Sequence, residues 1–180
     1  NGYNFFDIAT HGSPNLWALE SGRYYTSDAV SMKSNGFTII TTMACQTNQF
    51  DSPTYEPCLS EAFMRNANNG VVAYLGCSRY GWGYSGGTSS LGPSLQYEAQ
   101  FYQNLFSASV ENKNYGAIVA VAKAAMISKS TSNNPFRWVQ FGLNPIGDPE
   151  MPIFTSKPLQ FSGATIKAEG NGIKVNSAVD

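Results

Sequence analysis

Charge is scarce in this chain. Only 13% of its 180 residues are Asp, Glu, Lys or Arg, against about a quarter in most soluble proteins. The formal net charge is −1, so no basic field exists to hold a nucleic-acid backbone. Long apolar runs are missing as well. The longest, around residues 70–76, is strand-sized, far short of the roughly 18 residues of a membrane span. Histidine occurs once and cysteine three times, with no Cys-x-x-Cys pair. The odd cysteine count leaves at least one thiol without a partner in this sequence. The spacings of Cys45, Cys58 and Cys77 match no zinc pattern.

Apolar residues are plentiful at 42%, of which aromatics are 13% of the chain, which excludes an acidic disordered polypeptide. The length suits one domain, or one domain with a fragment of a second, and is enough to bury a core without staples. Ser, Asn, Gly, Thr and Tyr must cover the surface, a composition that suits a secreted bacterial protein. Residue 1 is Asn and an apolar run follows almost at once. The chain therefore reads as a processed or excised piece of something longer.

Three short apolar runs read as buried strands: residues 3–10 (YNFFDIAT), 37–43 (FTIITTM) and 71–75 (VVAYL). Between them lie a loop over residues 13–22, a short helix over 28–34 and a helix over 59–68. Pro93 opens a long helix to residue 108, and an Ala-rich helix follows over 115–128. Asn133-Asn134-Pro135 reads as a break, residues 136–142 (FRWVQFG) as an alternating strand, 144–150 as a turn and 151–155 as a short edge strand. After Pro158 the texture changes to two alternating runs around Glu169-Gly170-Asn171-Gly172, the opening hairpin of a β-sandwich. A boundary falls near Lys157-Pro158.

Strands alternating with helical crossovers predict an α/β fold, a mostly parallel sheet flanked by helices on both faces and followed by a partial β-sandwich segment. In such sheets ligands sit beyond the carboxyl ends of the strands. That rule selects His11-Gly12 after the first strand, Ala44-Cys45 after the second, and the loop dense in Gly, Tyr and Trp after the third. The single histidine and one cysteine thus share one sheet edge. A thiol beside an imidazole is a nucleophile with its base, and the backbone N–H groups of Gly12 and Cys45 project where an oxyanion would form. For Cys58 and Cys77, core packing or a disulfide is the expectation. Asp148 in Gly147-Asp148-Pro149 reads as a turn residue.

The order and spacing of these motifs resemble the caspase-like cysteine peptidases. Within them, ACQTNQFD from Ala44, CLSEAFMRN from Cys58, GVVAYLGCSRYGWG from Gly70 and GLNPIGDPEMPIFT from Gly142 resemble the gingipain family. The resemblance implies a catalytic domain over residues 1–157, lacking its N-terminal strands, and the start of an immunoglobulin-like domain over 158–180. It implies Cys45 as nucleophile, His11 as general base and acid, and Gly12 with Cys45 as oxyanion donors. It implies substrate contacts from Ala9, Met43, Ser78, Arg79, Tyr80 and Trp82; for Arg79, structural pairing is the competing expectation, and for Trp82, ordinary loop packing. The implied activity is cysteine endopeptidase, through a thioester and with no cofactor required, although structural calcium occurs in the family. The alternatives are a transpeptidase of bacterial secretion and a catalytically silent adhesion module. The implied partners are a peptide or protein substrate and the missing N-terminal part of the same chain. The implied location is outside a bacterium, secreted or at its surface.

Overall fold

A computed structural model of the chain describes residues 4–68, 70–84, 91–107, 113–156, 161–170 and 172–179. The expected boundary at Lys157-Pro158, Tyr3 of the first expected strand, Asn171 of the last turn and residues 85–90 of the aromatic loop lie outside them.

The central sheet has four strands. β1 (Phe5–Ile8) is followed by a small antiparallel sheet of β2 (His11–Ser13), β3 (Leu16–Leu19) and β4 (Gly22–Tyr25), and then by α1 (Thr26–Ser31). β5 (Thr38–Thr42), α2 (Leu59–Arg65) and β6 (Val71–Cys77) come next. β1, β5 and β6 run parallel. Four helices follow: α3 (Pro93–Phe106), α4 (Tyr115–Ala124), α5 (Ile127–Ser132) and α6 (Asn134–Gly142). They lead to β7 (Leu143–Gly147), which closes the sheet antiparallel to β6 in the order β1-β5-β6-β7. A separate hairpin, β8 (Phe161–Glu169) and β9 (Gly172–Val179), ends the described chain.

β5 lies between two strands, and all five of its residues are buried, in keeping with its run of Thr and Ile. Its side chains alternate between two cores. Ile39 and Met43 join Ala73, Leu75 and Cys77 under α3, α4 and α6, against Phe101, Leu105, Ile118 and Val139. Ile40 and Ala44 join Tyr74 on the other face, against Leu59, Ala62 and Phe63 of α2. There the Trp17 ring lies 5.3 Å from Phe63 of α2 and 6.4 Å from Tyr74 of β6, tying the small sheet to the large one. A helix layer on one face and the small sheet with α1 and α2 on the other bury the central strands and leave their carboxyl ends as an open rim.

The structure departs from expectation in five places. Residues 136–142 form a helix, not a strand: Pro135 opens it rather than breaking it. The buried residues Phe136, Val139 and Gly142 recur every three residues, while Arg137, Trp138 and Phe141 face out. The strand comes one segment later, where a turn is the sequence expectation, and it tolerates Pro145 because it is the sheet's edge. Residues 151–155 contribute only a single bridge, Asn114 to Pro152. The loop expected over 13–22 is a folded hairpin, and the helix expected over 115–128 breaks after Ala124.

Candidate active site

Cys45 sits three residues past the end of β5, on a turn tied down from both sides. The Ala44 N–H donates to Thr42 Oγ1 at 3.2 Å, and that hydroxyl donates to the Ile8 carbonyl at 2.8 Å. Beyond the sulfur, the Gln46 N–H donates to the Arg79 carbonyl at 2.8 Å and the Asn48 N–H to the Cys77 carbonyl at 3.1 Å. The buried Asn48 amide adds bonds to the Gly76 and Asn144 carbonyls, at 3.3 and 2.8 Å. Gln46 takes φ +60°, the one non-glycine residue with positive φ among those described. Such a conformation costs of order 1 kcal/mol or more and persists only where its surroundings enforce it. Here the ends of β5 and β6 enforce it.

His11 opens β2, exposed, opposite Ala18. Its neighbour Gly12 fixes where that strand lies. A Cβ on Gly12 would stand 2.9 Å from the Cys45 carbonyl oxygen, 2.9 Å from Ala44 Cβ and 2.7 Å from Thr47 Cγ2. No side chain fits, so the backbone of β2 is pressed against the Cys45 turn. The topology and this contact bring the histidine-bearing strand and the cysteine-bearing turn to one rim.

The sulfur itself is half-buried. It accepts a hydrogen bond from the Gly81 N–H at 3.3 Å and lies 3.8 Å from the Gly81 carbonyl. Gly81 can come this close only as glycine, because a Cβ there would sit 2.1 Å from the Met43 carbonyl. The loop is pinned one residue on: the Trp82 N–H donates to Ser94 Oγ at 2.8 Å, and the Ser94 N–H returns a bond to the Trp82 carbonyl at 3.0 Å.

The three thiols are free and differ in environment. Cys77 is buried, and burial first, then its Cys45 and Glu98 neighbours, pushes its pKa up to about 12. Burial also raises Cys58, which sits at the N-cap of α2 with Sγ 3.2 Å from Ser60 Oγ. Both are core thiols with no reactive environment. Among the described residues no three His, Cys, Asp or Glu side chains gather as metal ligands.

The expected substrate contacts divide into two groups. Ala9, Tyr80 and Trp82 are exposed at the rim. Met43 is buried in the core under α3. Ser78 is buried, with its hydroxyl donating to the Gly142 carbonyl at 3.0 Å and accepting from the Asn144 amide at 3.0 Å. Arg79 is held in a bidentate pair by Asp51 at 3.0 and 2.7 Å. Asp7 accepts from Thr41 Oγ1 at 2.7 Å beneath the sheet. Gly81, Ser94 and Asn48 are site residues that spacing alone does not single out. The glycine density of Gly81-Trp82-Gly83 is the one signal that marks a close backbone approach.

Fold and site together define a caspase-like α/β unit with a thiol and an imidazole-bearing strand at one rim. The chain belongs to peptidase family C25, whose model matches residues 1–154. No curated protein matches it. Among solved structures it is similar to one described as a protease, with TM-score 0.68 and 21% identity over 93% of this chain and 38% of that one. It is also similar to the Arg-specific cysteine proteinase gingipain R (RgpB), with TM-score 0.69 and 19% identity over 89% of this chain and 36% of that one. A third similar structure is the complex of Porphyromonas gingivalis RgpB pro- and mature domains, with TM-score 0.70 and 19% identity over 89% and 37%. These likenesses establish the gingipain-type fold. The chain spans 36–38% of the length of these structures.

Proposed function

We propose that this chain carries the nucleophile and the base of a cysteine endopeptidase. The observation that supports the reading is the seating of Gly12 against the Cys45 carbonyl, which sets the His11 strand against the turn that carries a half-exposed sulfur. Family membership over residues 1–154 supports it.

In this reading the Cys45 sulfur attacks the carbonyl carbon of a peptide bond. Negative charge moves to the carbonyl oxygen, and the backbone N–H groups of Gly12 and Cys45 receive it. His11, holding the proton taken from the thiol, gives it to the departing amine as the C–N bond breaks. A thioester on Cys45 remains. Water adds to it while His11 accepts a proton, and collapse releases the carboxylate and restores the thiol. No cofactor takes part, and a structural calcium would have no step in this sequence. Ala9, Tyr80 and Trp82 stand exposed to contact substrate, whereas Met43 and Ser78 are buried and the exposed Arg79 side chain is engaged by Asp51.

In the same proposal residues 1–157 form the catalytic unit and residues 158–180 the start of an immunoglobulin-like domain, and the unit works outside a bacterium. Steady-state cleavage of a peptide library by wild type, Cys45→Ala and His11→Ala tests the activity. Loss of at least about a thousandfold in both variants is expected for members of one catalytic unit. Full turnover by Cys45→Ala would defeat the reading.

A further inference from the structure

Beside the nucleophile turn lies a cleft of about 210 Å³ that the mechanism above does not use. Its floor is the meeting of β6 with the end of α6. There the Ser78 N–H and hydroxyl both donate to the Gly142 carbonyl, at 2.7 and 3.0 Å. One wall is the bidentate pair of Arg79 with Asp51. The remaining walls are rings: Phe50, Trp138 and Phe141 are 54%, 56% and 75% exposed.

Isolated exposed apolar residues need no explanation. Three rings converging on one concavity beside a catalytic turn form a surface shaped for contact. The polar groups of the floor satisfy one another, and the two charges of the wall neutralise each other. A charged or strongly polar ligand would therefore find no free partner here, whereas an apolar one would find three ring surfaces. The volume sets the scale. It falls below the roughly 300–1,000 Å³ of a site that takes a whole small molecule, and it suits one side chain.

The cleft adjoins the Cys45 turn, since Arg79, one of its lining residues, accepts at its carbonyl the N–H of Gln46, the residue after the nucleophile. Adjacent strands lie about 4.8 Å apart, which puts the β6–β7 side one to two spacings from the strand of Cys45. An extended peptide advances about 3.3 Å per residue, so two or three residues cover that distance.

We infer that this cleft is a substrate subsite for a bulky uncharged side chain, aromatic or long aliphatic, two or three residues from the scissile bond. The inference rests on the cysteine-peptidase reading, and the experiment separates the two. Peptides carrying Phe, Leu, Ala or Glu at each position within three residues of the cleaved bond are assayed for kcat/KM with the full chain. Wild type should favour Phe or Leu over Ala and Glu at one of these positions by about tenfold or more, the scale of one well-filled apolar pocket.

Two variants locate the preference. Trp138→Ala with Phe141→Ala removes exposed rings and should reduce the ratio to about threefold or less. Gly142→Leu should do the same by filling the cleft, because the nearest atom from outside its own helix to a Cβ there is Arg79 Cβ, at 3.8 Å. Unfolding midpoints near wild type show that both variants are folded. A wild type with no bulky-residue preference at these positions, or folded variants that keep the preference, overturns the subsite and leaves the peptidase reading standing. A wild type that cleaves none of the peptides overturns that reading and the subsite with it.

Discussion

The backbone N–H of Gly81 is directed at the sulfur of Cys45, 3.3 Å away. The two residues come from successive strand ends, and their meeting requires that Gly81 lie flat against the carbonyl of Met43. A donor aimed at a sulfur contributes where negative charge gathers, and hydrogen bonds to charged groups are worth about 1.5–3 kcal/mol.

Gly81→Ala should therefore lower kcat/KM by roughly tenfold to a hundredfold, the rate equivalent of losing such a bond. The added Cβ would meet the Met43 carbonyl at 2.1 Å, so the loop must shift and carry its donor away from the sulfur. Gly83→Ala is the control, because a Cβ there meets nothing within 4 Å. Equal kinetics in the two variants would remove Gly81 from the site.

Gly12→Ala tests the other contact. Its Cβ would press on the Cys45 carbonyl, Ala44 and Thr47 at once, forcing β2 away from the nucleophile turn. Activity should fall by about tenfold or more, as misplacement of catalytic groups by a fraction of an ångström to an ångström does. Overpacking of this kind should lower stability by about 1–3 kcal/mol. The checks are kcat/KM on one peptide and a urea unfolding curve.

Thiol chemistry should be selective. Native protein treated with iodoacetamide at pH 8 should gain one adduct, on Cys45, because burial raises both Cys58 and Cys77 and closes them to reagent. Three adducts should appear after unfolding in guanidinium. Peptide mapping by mass spectrometry reads both states, and fast native labelling of Cys77 would contradict the burial.

The buried Glu98 should make stability fall as pH rises. Burial first, and then the hydrogen bond and charge of Asp7, hold its carboxyl protonated up to about 9. In the unfolded chain the same group ionises near 4.5. Between these values the folded state binds more protons than the unfolded state, so its contribution is complete below about pH 4.5 and is lost as pH climbs to 9. The slope from this one group is at most about 1.4 kcal/mol per pH unit. Urea midpoints from pH 5 to 9 should decline in wild type and decline less in Glu98→Gln. A slope unchanged by the substitution would assign the effect elsewhere.

The parallel core was legible in the chain because buried parallel strands are continuous β-branched runs, as Thr38–Thr42 is. The rim followed from it, since His11 and Cys45 lie just past two such runs. What was hidden depended on contacts between distant segments. FRWVQFG supports either period, and only packing against α3, with the Tyr97 hydroxyl bonding the Phe136 carbonyl at 3.0 Å, selects the helix. Residues 143–147 contain a proline and look like a turn until β6 supplies their hydrogen bonds. The engagement of Arg79 by Asp51, 28 residues away, likewise has no local signal.

In the proposed mechanism the Cys45 sulfur is the group a peptide carbonyl meets. A peptidyl acyloxymethyl ketone, which reacts with a thiol only when the peptide is seated beside it, tests this most directly by intact mass and peptide mapping. One adduct is expected, on the Cys45 peptide, formed in step with loss of cleavage and absent in Cys45→Ala. Cleavage that continues while Cys45 is fully labelled, or inactivation with the label on another residue, would contradict it.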